Sequence, residues 1–398
     1  MIASRLRLHP TILLMASAHM MVDGYGNIFA PMLPILIPRL GLNLATAGLL
    51  TMMFQLAASV AQVGFGHLAD RWRPRLLVMA GPVLAVSVLS LVGLASSTAM
   101  LACILVAGGL GGAAFHPPAA ALAHRLGGER RGLAMSVYIT GGSLGFSLGP
   151  LLFAPFAQRY GIEWTPLLAI PGLIVIAIFL TKVPPIPVHA SSRGGFTALR
   201  PYAKPLTLLY SIVVLRTLTS LAFATFVPVM LTRRGLTVGQ AGGAVALYLF
   251  SSGLGGFLGG PAADRFGARK MIALSLVAAC PFLFIAPLLT GWQFMVVLAM
   301  GGFCLQSTLP VNVTFGQSLA PVSAATVSSL MMGFAWGTGG LSVPLVGLIA
   351  DRVGIEQTLM GLALVPMAAA LCALPLPSRS SQRTEPRPAD VIVPDTRA

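Results

Sequence analysis

Charged residues are scarce in this chain, and their scarcity excludes most classes of soluble protein. Only 9% of the 398 residues are Asp, Glu, Lys or Arg, whereas a soluble globular domain has about 25%. So few charges cannot cover a water-exposed surface of this size, while 56% of the residues are hydrophobic. The composition therefore predicts an integral membrane protein whose outer surface contacts the lipid bilayer.

Acidic residues are the scarcest of the charged groups. The chain has 10 Asp and Glu against 25 Lys and Arg, which gives a formal net charge of +15. In a soluble protein this excess would indicate nucleic-acid binding. In a membrane protein it is typical of basic loops on the cytoplasmic side, so we expect no nucleic-acid partner.

Several kinds of reactive or nucleotide-binding site are also missing. The four cysteines lie singly in apolar stretches, so the sequence predicts neither a disulfide nor a cysteine metal site. No Gly-x-x-x-x-Gly-Lys-Ser/Thr loop occurs, which argues against ATP-driven transport within this chain. A membrane-embedded enzyme or scaffold would need a catalytic constellation or a sizeable soluble segment, and the sequence has neither. We expect no enzyme activity and no cofactor.

Long apolar runs are what the sequence has instead. A membrane-spanning helix needs about 20 largely apolar residues. Breaks at charged or turn-rich points leave twelve such spans: 12–38, 46–69, 75–97, 99–124, 132–158, 163–183, 204–232, 238–262, 270–289, 292–319, 323–350 and 357–376. They predict an all-α membrane protein, with twelve transmembrane helices in two pseudo-symmetric six-helix bundles.

Positive charges predict the orientation of these spans. If both termini lie in the cytoplasm, the inner segments carry 19 Lys and Arg and the outer segments carry five. Cytoplasmic loops are enriched in these residues, so both termini should be cytoplasmic. The predicted units are an N-terminal half, 1–183, a cytoplasmic linker, 184–203, a C-terminal half, 204–376, and a cytoplasmic tail, 377–398.

A short string recurs after the second span of each half. The copies are 194 residues apart and comprise Gly66, Asp70, Arg71 and Trp72, then Gly260, Asp264, Arg265 and Phe266, which Arg269 follows. An internal repeat is typical of transporters whose halves rock against each other. The second copy, Gly-x-x-x-Asp-Arg-x-Gly-x-Arg-Lys, resembles the signature loop of the major facilitator superfamily. That resemblance implies a gating role for both loops. The alternative is that they only supply positive charge to the cytoplasmic side.

The first half carries a narrower resemblance. It rests on His19-x-x-x-Asp23 in span 1, Phe54-Gln55 and Ser59 in span 2, Phe115-His116-Pro117 in span 4, and Gly142, Gly145, Gly149 and Pro150 in span 5. These residues resemble the fosmidomycin resistance protein family, a branch of proton-coupled drug exporters. Gly145-x-x-x-Gly149-Pro150 is also similar to the superfamily's antiporter motif. The resemblance implies export in exchange for protons.

One face of span 1 carries three polar side chains at lipid depth. Asp23 is the only acidic residue well inside a predicted span, and His19 and Asn27 lie four residues to either side of it. Ionisable residues inside a membrane are rare and mark proton or substrate pathways. We expect Asp23 to bind and release protons, with His19 sharing or relaying them. The alternative is a static hydrogen bond between helices.

Arg216 is the only basic residue deep inside a predicted span. The repeat offset of 194 places it opposite position 22, next to Asp23. Two functional interpretations follow: a salt bridge to Asp23 across a central cavity, or binding of an anionic substrate group. In the third, structural interpretation the arginine reaches the membrane interface through its flexible stem.

Other polar residues are expected to line the substrate cavity. The set comprises Asn27, Gln55, His116, Arg216 and Asn312. His116 stands before Pro117 and Pro118, which remove backbone donors and should kink span 4. Each of these side chains could instead have a structural role, because polar groups in spans also bond neighbouring helices.

Histidine and aspartate residues raise a further hypothesis, metal transport. His19, Asp23, His67 and His116 are of metal-ligand type. No close ligand spacing such as His-x-Asp occurs among them, so we expect no metal site.

The features above predict a secondary active transporter. The resemblance implies a proton-coupled exporter (an antiporter) of small organic molecules or drugs, acting as a monomer in the bacterial inner membrane. Its expected partners are protons, a small-molecule substrate and the lipid bilayer. The alternative is a facilitator or importer of a small metabolite with the same fold.

Overall fold

Twelve long helices make up the described part of the protein. The computed structural model describes residues 9–186, 196–320 and 324–377, and no strand occurs in these ranges. The helices long and apolar enough to cross a membrane are Pro10–Leu40, Leu44–Ala69, Pro74–Leu94, Thr98–Gly127, Arg131–Tyr160, Ile162–Leu180, Leu199–Arg233, Val238–Phe266, Ala268–Leu288, Gly291–Leu319, Thr326–Val353 and Ile355–Ala373. We number them spans 1 to 12. The predicted all-α, twelve-span fold is confirmed.

The start of span 7 differs from the sequence-based prediction. A 3₁₀ helix, Phe196–Tyr202, runs directly into the helix Ala203–Arg233, so helical structure begins inside the predicted linker 184–203. The reason is packing, because Leu199 is buried within the main hydrophobic core, which contains residues of both halves. The rest of that linker from 187 to 195, the N-terminal residues 1–8 and the tail from 378 onward lie outside the described residues.

Polar residues at the start of several spans explain where these helices begin. The Asn43 side chain accepts a hydrogen bond from the Thr46 amide at 2.7 Å. Ser97 does the same for Met100 at 3.2 Å, and Thr237 forms a reciprocal capping box with the helix that follows it. Such caps satisfy amides that have no partner in the first helical turn.

Span 1 packs directly against span 5 through glycines. A Cβ atom at Gly141, Gly145 or Gly149 would collide with a backbone carbonyl of span 1, that of Ala16, Met20 or Gly24 respectively. The steps of four residues match on the two helices, so their backbones stay in contact over two turns. The Gly145 and Gly149 pair of the antiporter-type motif, with Pro150 after it, therefore acts first as a close helix-packing surface.

The two halves touch at the span ends opposite the signature loops. The Asp351 carboxylate at the end of span 11 accepts hydrogen bonds from the amides of Leu44 and Ala45, at 3.0 and 2.9 Å. At the pseudo-equivalent place, the Gln158 side chain at the end of span 5 accepts from the Gly239 amide at 2.6 Å. In both contacts one half caps the N-terminus of a helix in the other.

Each signature loop is attached to the residues that directly follow the last span of its own half. Arg75 donates to the carbonyl of Val183 at 3.1 Å, and Arg269 donates to the carbonyl of Leu376 at 3.3 Å. Arg71, Asp264 and Arg265 are exposed, Gly66 lies close to Pro117, and Gly260 has open space around it. The Asp70 side chain lies outside the described part of the structure.

Candidate functional site

A buried cluster of two histidines and one aspartate forms between spans 1 and 4. His19 and Asp23 lie one turn apart on the helix Pro10–Gly26, and His19 Nε2 stands 3.2 Å from Asp23 Oδ2. His116 Nε2 approaches the other carboxylate oxygen, Oδ1, at 3.4 Å. The side chains of His19, Asp23 and His116 are 11%, 10% and 22% exposed. We call these three residues the histidine–aspartate cluster.

A backbone carbonyl fixes the orientation of His19. The Nδ1 atom lies 2.8 Å from the carbonyl oxygen of Tyr138 in span 5, and the imidazole stacks on the Tyr138 ring at 4.2 Å between centroids. A carbonyl oxygen can only accept, so Nδ1 carries the proton. The other ring nitrogen, Nε2, therefore faces Asp23, where it can exchange a second proton with the carboxylate.

Gly142 makes room for the cluster. A Cβ atom at this position would lie 2.5 Å from Asp23 Oδ2 and 2.6 Å from His19 Nε2. Gly142 belongs to span 5, one residue after the glycine that meets Ala16. The same close packing of spans 1 and 5 thus brings the Tyr138 carbonyl to His19 and leaves no side chain between span 5 and the carboxylate.

Asn27 and Gln55 do not reach this cluster with their amide groups. The Asn27 side chain donates to the backbone carbonyl of Asp23 at 3.0 Å, where the first helix of span 1 ends. The Gln55 amide donates to Ser59 Oγ at 2.8 Å, beside the π-helical turn Leu56–Val60 of span 2. Both amides satisfy local backbone or side-chain groups, and π turns of this kind are frequent at functional sites.

The second half holds a different polar cluster around Arg216. This side chain is only 1% exposed. Its Nη1 donates to Gln306 Oε1, and its Nη2 donates to Thr217 Oγ1 at 3.2 Å. Gln306 donates in turn to Ser220 Oγ at 2.9 Å. We call Arg216, Thr217, Ser220 and Gln306 the arginine cluster.

A salt bridge between Arg216 and Asp23, one of the interpretations that the sequence left open, is absent from the described residues. The Asp23 carboxylate pairs with His19 and His116, and Arg216 bonds only neutral groups while its Cζ lies 5.4 Å from the Trp336 ring centroid. Its Nε has no hydrogen-bond partner in the part of the chain that the structure describes. Burial also excludes a side chain that extends to the membrane interface. The guanidinium is therefore a buried cation to which the described residues supply no anion.

Asn312 lies in span 10, in the helix Leu309–Leu319. It is fully buried, and among the described residues neither its amide nitrogen nor its carbonyl oxygen has a hydrogen-bond partner. Buried polar groups nearly always have a partner. An unpartnered amide fits the expected role in substrate binding, because a substrate or water can complete its hydrogen bonds.

Two contributors to these clusters carry no sequence signal. Tyr138 acts on His19 through its backbone carbonyl, which any residue type would supply. Trp336 meets Arg216 only because span 11 packs beside span 7. The structure brings together His19, Asp23 and His116 from the sequence-based set, and it places Arg216 with other partners.

A family model and the sequences of known proteins indicate the same family for this chain. The family model described as Major Facilitator Superfamily matches twice, over residues 15–232 and 208–394. The fosmidomycin resistance protein of Escherichia coli (strain K12) is 30% identical over 363 residues, with 88% of each chain covered. An uncharacterized MFS-type transporter, YfnC of Bacillus subtilis (strain 168), is 30% identical over 401 residues, with 94% of each chain covered.

More distant proteins share the fold or part of the sequence. The multidrug resistance protein MdtG of Serratia proteamaculans (strain 568) is 28% identical over 313 residues, covering 71% of this chain and 73% of its own. A solved structure of a bacterial homolog of the human lysosomal transporter Spinster, inward-facing and unoccupied, has a TM-score of 0.78 at 18% identity. That match covers 91% of this chain and 95% of the other, and it supports the fold alone.

Proposed function

Because this chain belongs to the Major Facilitator Superfamily and is a transporter rather than an enzyme, we propose that it exports small organic molecules in exchange for protons. The observation that carries the proposal is the histidine–aspartate cluster, in which two imidazole nitrogens flank one buried carboxylate at 3.2 and 3.4 Å. Ionisable groups at lipid depth mark proton relays. The names of two relatives, a fosmidomycin resistance protein and a multidrug resistance protein, support export.

Asp23 is the main proton carrier in this proposal, and His19 is its partner. The proton on His19 Nδ1 stays with the Tyr138 carbonyl, so the exchangeable proton lies between Nε2 and the carboxylate. His116 faces the second oxygen of Asp23 and offers a second position for the exchangeable proton. A proton can thus pass along the cluster while the carboxylate keeps at least one hydrogen-bond partner.

Arg216 is the substrate-binding cation in this proposal. A buried charge without a counterion is costly, and the described residues supply no anion to this guanidinium. An anionic group on the substrate would compensate the charge, with the unpartnered Nε as an additional donor. The Trp336 ring beside it would contact an apolar part of the same molecule, and Asn312 would supply further hydrogen bonds.

The contacts between and within the halves supply the gating in this proposal. Asp351 and Gln158 hold the two halves together at one end of the spans. The signature loops, including Asp70 and Asp264, lie at the other end of the spans. In this proposal they hold that end closed in one of the two conformations between which the halves rock. The proposed setting is the bacterial inner membrane, with a monomeric chain and both termini in the cytoplasm. Reporter fusions at the two termini would test that orientation.

The direction of transport is tested in everted membrane vesicles. A host that lacks its own exporters would express the chain and be screened against a chemical panel that includes fosmidomycin. We expect at least one resistance hit to accumulate in energised everted vesicles and to leak out when the pH gradient is dissipated. Uptake that only equilibrates the compound, with no response to the gradient, would contradict export and favour a facilitator.

A further inference from the structure

The donor atoms of the histidine–aspartate cluster have the spacing of a metal site. His19 Nε2, His116 Nε2 and an oxygen of Asp23 all lie within 4.8 Å of one another. In a tetrahedral zinc site with bonds of about 2.0–2.1 Å, ligand atoms stand about 3.3 Å apart. His19 Nε2 lies 3.2 Å from Asp23 Oδ2 and His116 Nε2 lies 3.4 Å from Asp23 Oδ1, so each imidazole nitrogen stands at about this spacing from one oxygen of the shared carboxylate.

The hydrogen-bond partner behind His19 also suits a metal ion. Ligating histidines usually donate their other ring N–H to a backbone carbonyl, which holds the free nitrogen toward the metal. His19 has this arrangement through Nδ1 and the Tyr138 carbonyl, at 2.8 Å. Two of the three ligands are one helical turn apart on span 1, so a single rigid helix sets their relative position.

The donor types select the class of ion. Two imidazoles and one carboxylate suit zinc, cobalt, nickel and copper, whereas magnesium and calcium require oxygen ligands. The three protein ligands leave a fourth position of a tetrahedral ion open for water. Sequence spacing could not indicate this site, because His116 is 93 residues beyond Asp23 and joins it only through the packing of spans 1 and 4.

We propose that His19, Asp23 and His116 bind one zinc-class divalent ion, which competes with the exchangeable proton and inhibits transport. The ion is an inhibitor in this proposal, neither a resident cofactor nor the cargo. The inhibitory part rests on the proposed function, since it requires that the cluster carry the proton. The binding part rests on geometry alone.

The binding part is tested with the purified full-length chain in detergent and Co²⁺, whose visible absorption reports tetrahedral coordination. We expect one Co²⁺ per chain, displaced by Zn²⁺ and unaffected by excess Mg²⁺. His116→Ala and the more conservative His116→Gln should each weaken binding by about tenfold or more. The matched control is His124→Ala, an exposed histidine on the same span, which should bind as the wild type does.

Two results would overturn the metal site: no stoichiometric Co²⁺ signal from the wild type, or equal binding by the His116 variants. The inhibitory part is tested by adding Zn²⁺ to proteoliposomes during pH-driven flux, where we expect inhibition of wild type and of His124→Ala. Binding without inhibition would overturn the inhibitory part while leaving the metal site in place. Transport of the ion itself would also overturn the inhibitory part, because the metal would then be a substrate.

Discussion

The two halves have nearly the same backbone architecture but opposite polar chemistry at their centres. The first half holds groups that can change charge, two imidazoles around the Asp23 carboxylate. The second half holds a permanent cation, Arg216, bonded to neutral side chains. In the proposed function this difference becomes a division of roles, in which the first half carries the proton and the second half binds the substrate. Internal repeats in transporters commonly place such sites near the membrane midplane.

The signature loops of the two halves make equivalent hydrogen bonds but have different residues at one position of positive φ. Arg75 and Arg269 make equivalent bonds to the carbonyls that end their own halves. Arg73, two residues before Arg75, has a φ of +37°. The equivalent residue before Arg269 is Gly267, which has a φ of +91°. Positive φ is easy for glycine and unfavourable for arginine. The two copies share a positive φ at this position but differ in ψ, which is 58° at Arg73 and 138° at Gly267. The first copy of the loop therefore stores backbone strain at Arg73.

Removing the permanent cation should have the largest effect. Arg216→Ala should lower substrate affinity by about 10- to 100-fold, because a hydrogen bond to a charged group contributes about 1.5–3 kcal/mol. Arg216→Lys should retain only part of the substrate affinity, since a lysine lacks the planar set of donors that a guanidinium has. The measurement is substrate binding at fixed pH. Unchanged affinity together with lost proton coupling would place Arg216 with the proton site and break the division between the halves.

Filling the space beside the first cluster should have an intermediate effect. Gly142→Ala places a methyl group 2.5 Å from Asp23 Oδ2, and overpacking of this kind costs about 1–3 kcal/mol. We expect pH-driven flux to fall by about tenfold with membrane insertion intact, and substrate binding to change little. Gly132→Ala is the matched control in the same span, because nothing lies within 4 Å of its added methyl group. Equal flux in the two variants would mean that the cluster geometry is unimportant.

Exchanging the turn residues of the signature loops should have the smallest effect. Arg73→Gly relieves the left-handed conformation and should raise the free energy of unfolding by up to about 1 kcal/mol, after the entropic cost of glycine. Gly267→Ala should lower it by a similar amount. Thermal unfolding of the detergent-solubilised chain measures both. A lower melting temperature for Arg73→Gly would show that the turn is not strained.

Sequence patterns were sufficient for the spans and for part of the first cluster. Apolar runs set the twelve helices, and four-residue spacing put His19 and Asp23 on one face. His116 could not be placed beside them, since that requires the packing register of spans 1 and 4. The repeat offset put Arg216 opposite position 22 but does not determine which way a helix is rotated. Its actual partner, Gln306, lies on span 10.

The division between the halves is tested most directly at Asp23. Wild type and Asp23→Asn would be compared side by side in proteoliposomes, with substrate flux driven by a pH gradient and, separately, by a substrate gradient alone. We predict that the asparagine variant loses pH-driven flux and keeps substrate binding and downhill exchange, while Glu163→Gln, an exposed carboxylate exchanged for an amide, behaves as wild type. Undiminished pH-driven flux in Asp23→Asn would contradict the account and move the proton to His19 and His116 alone.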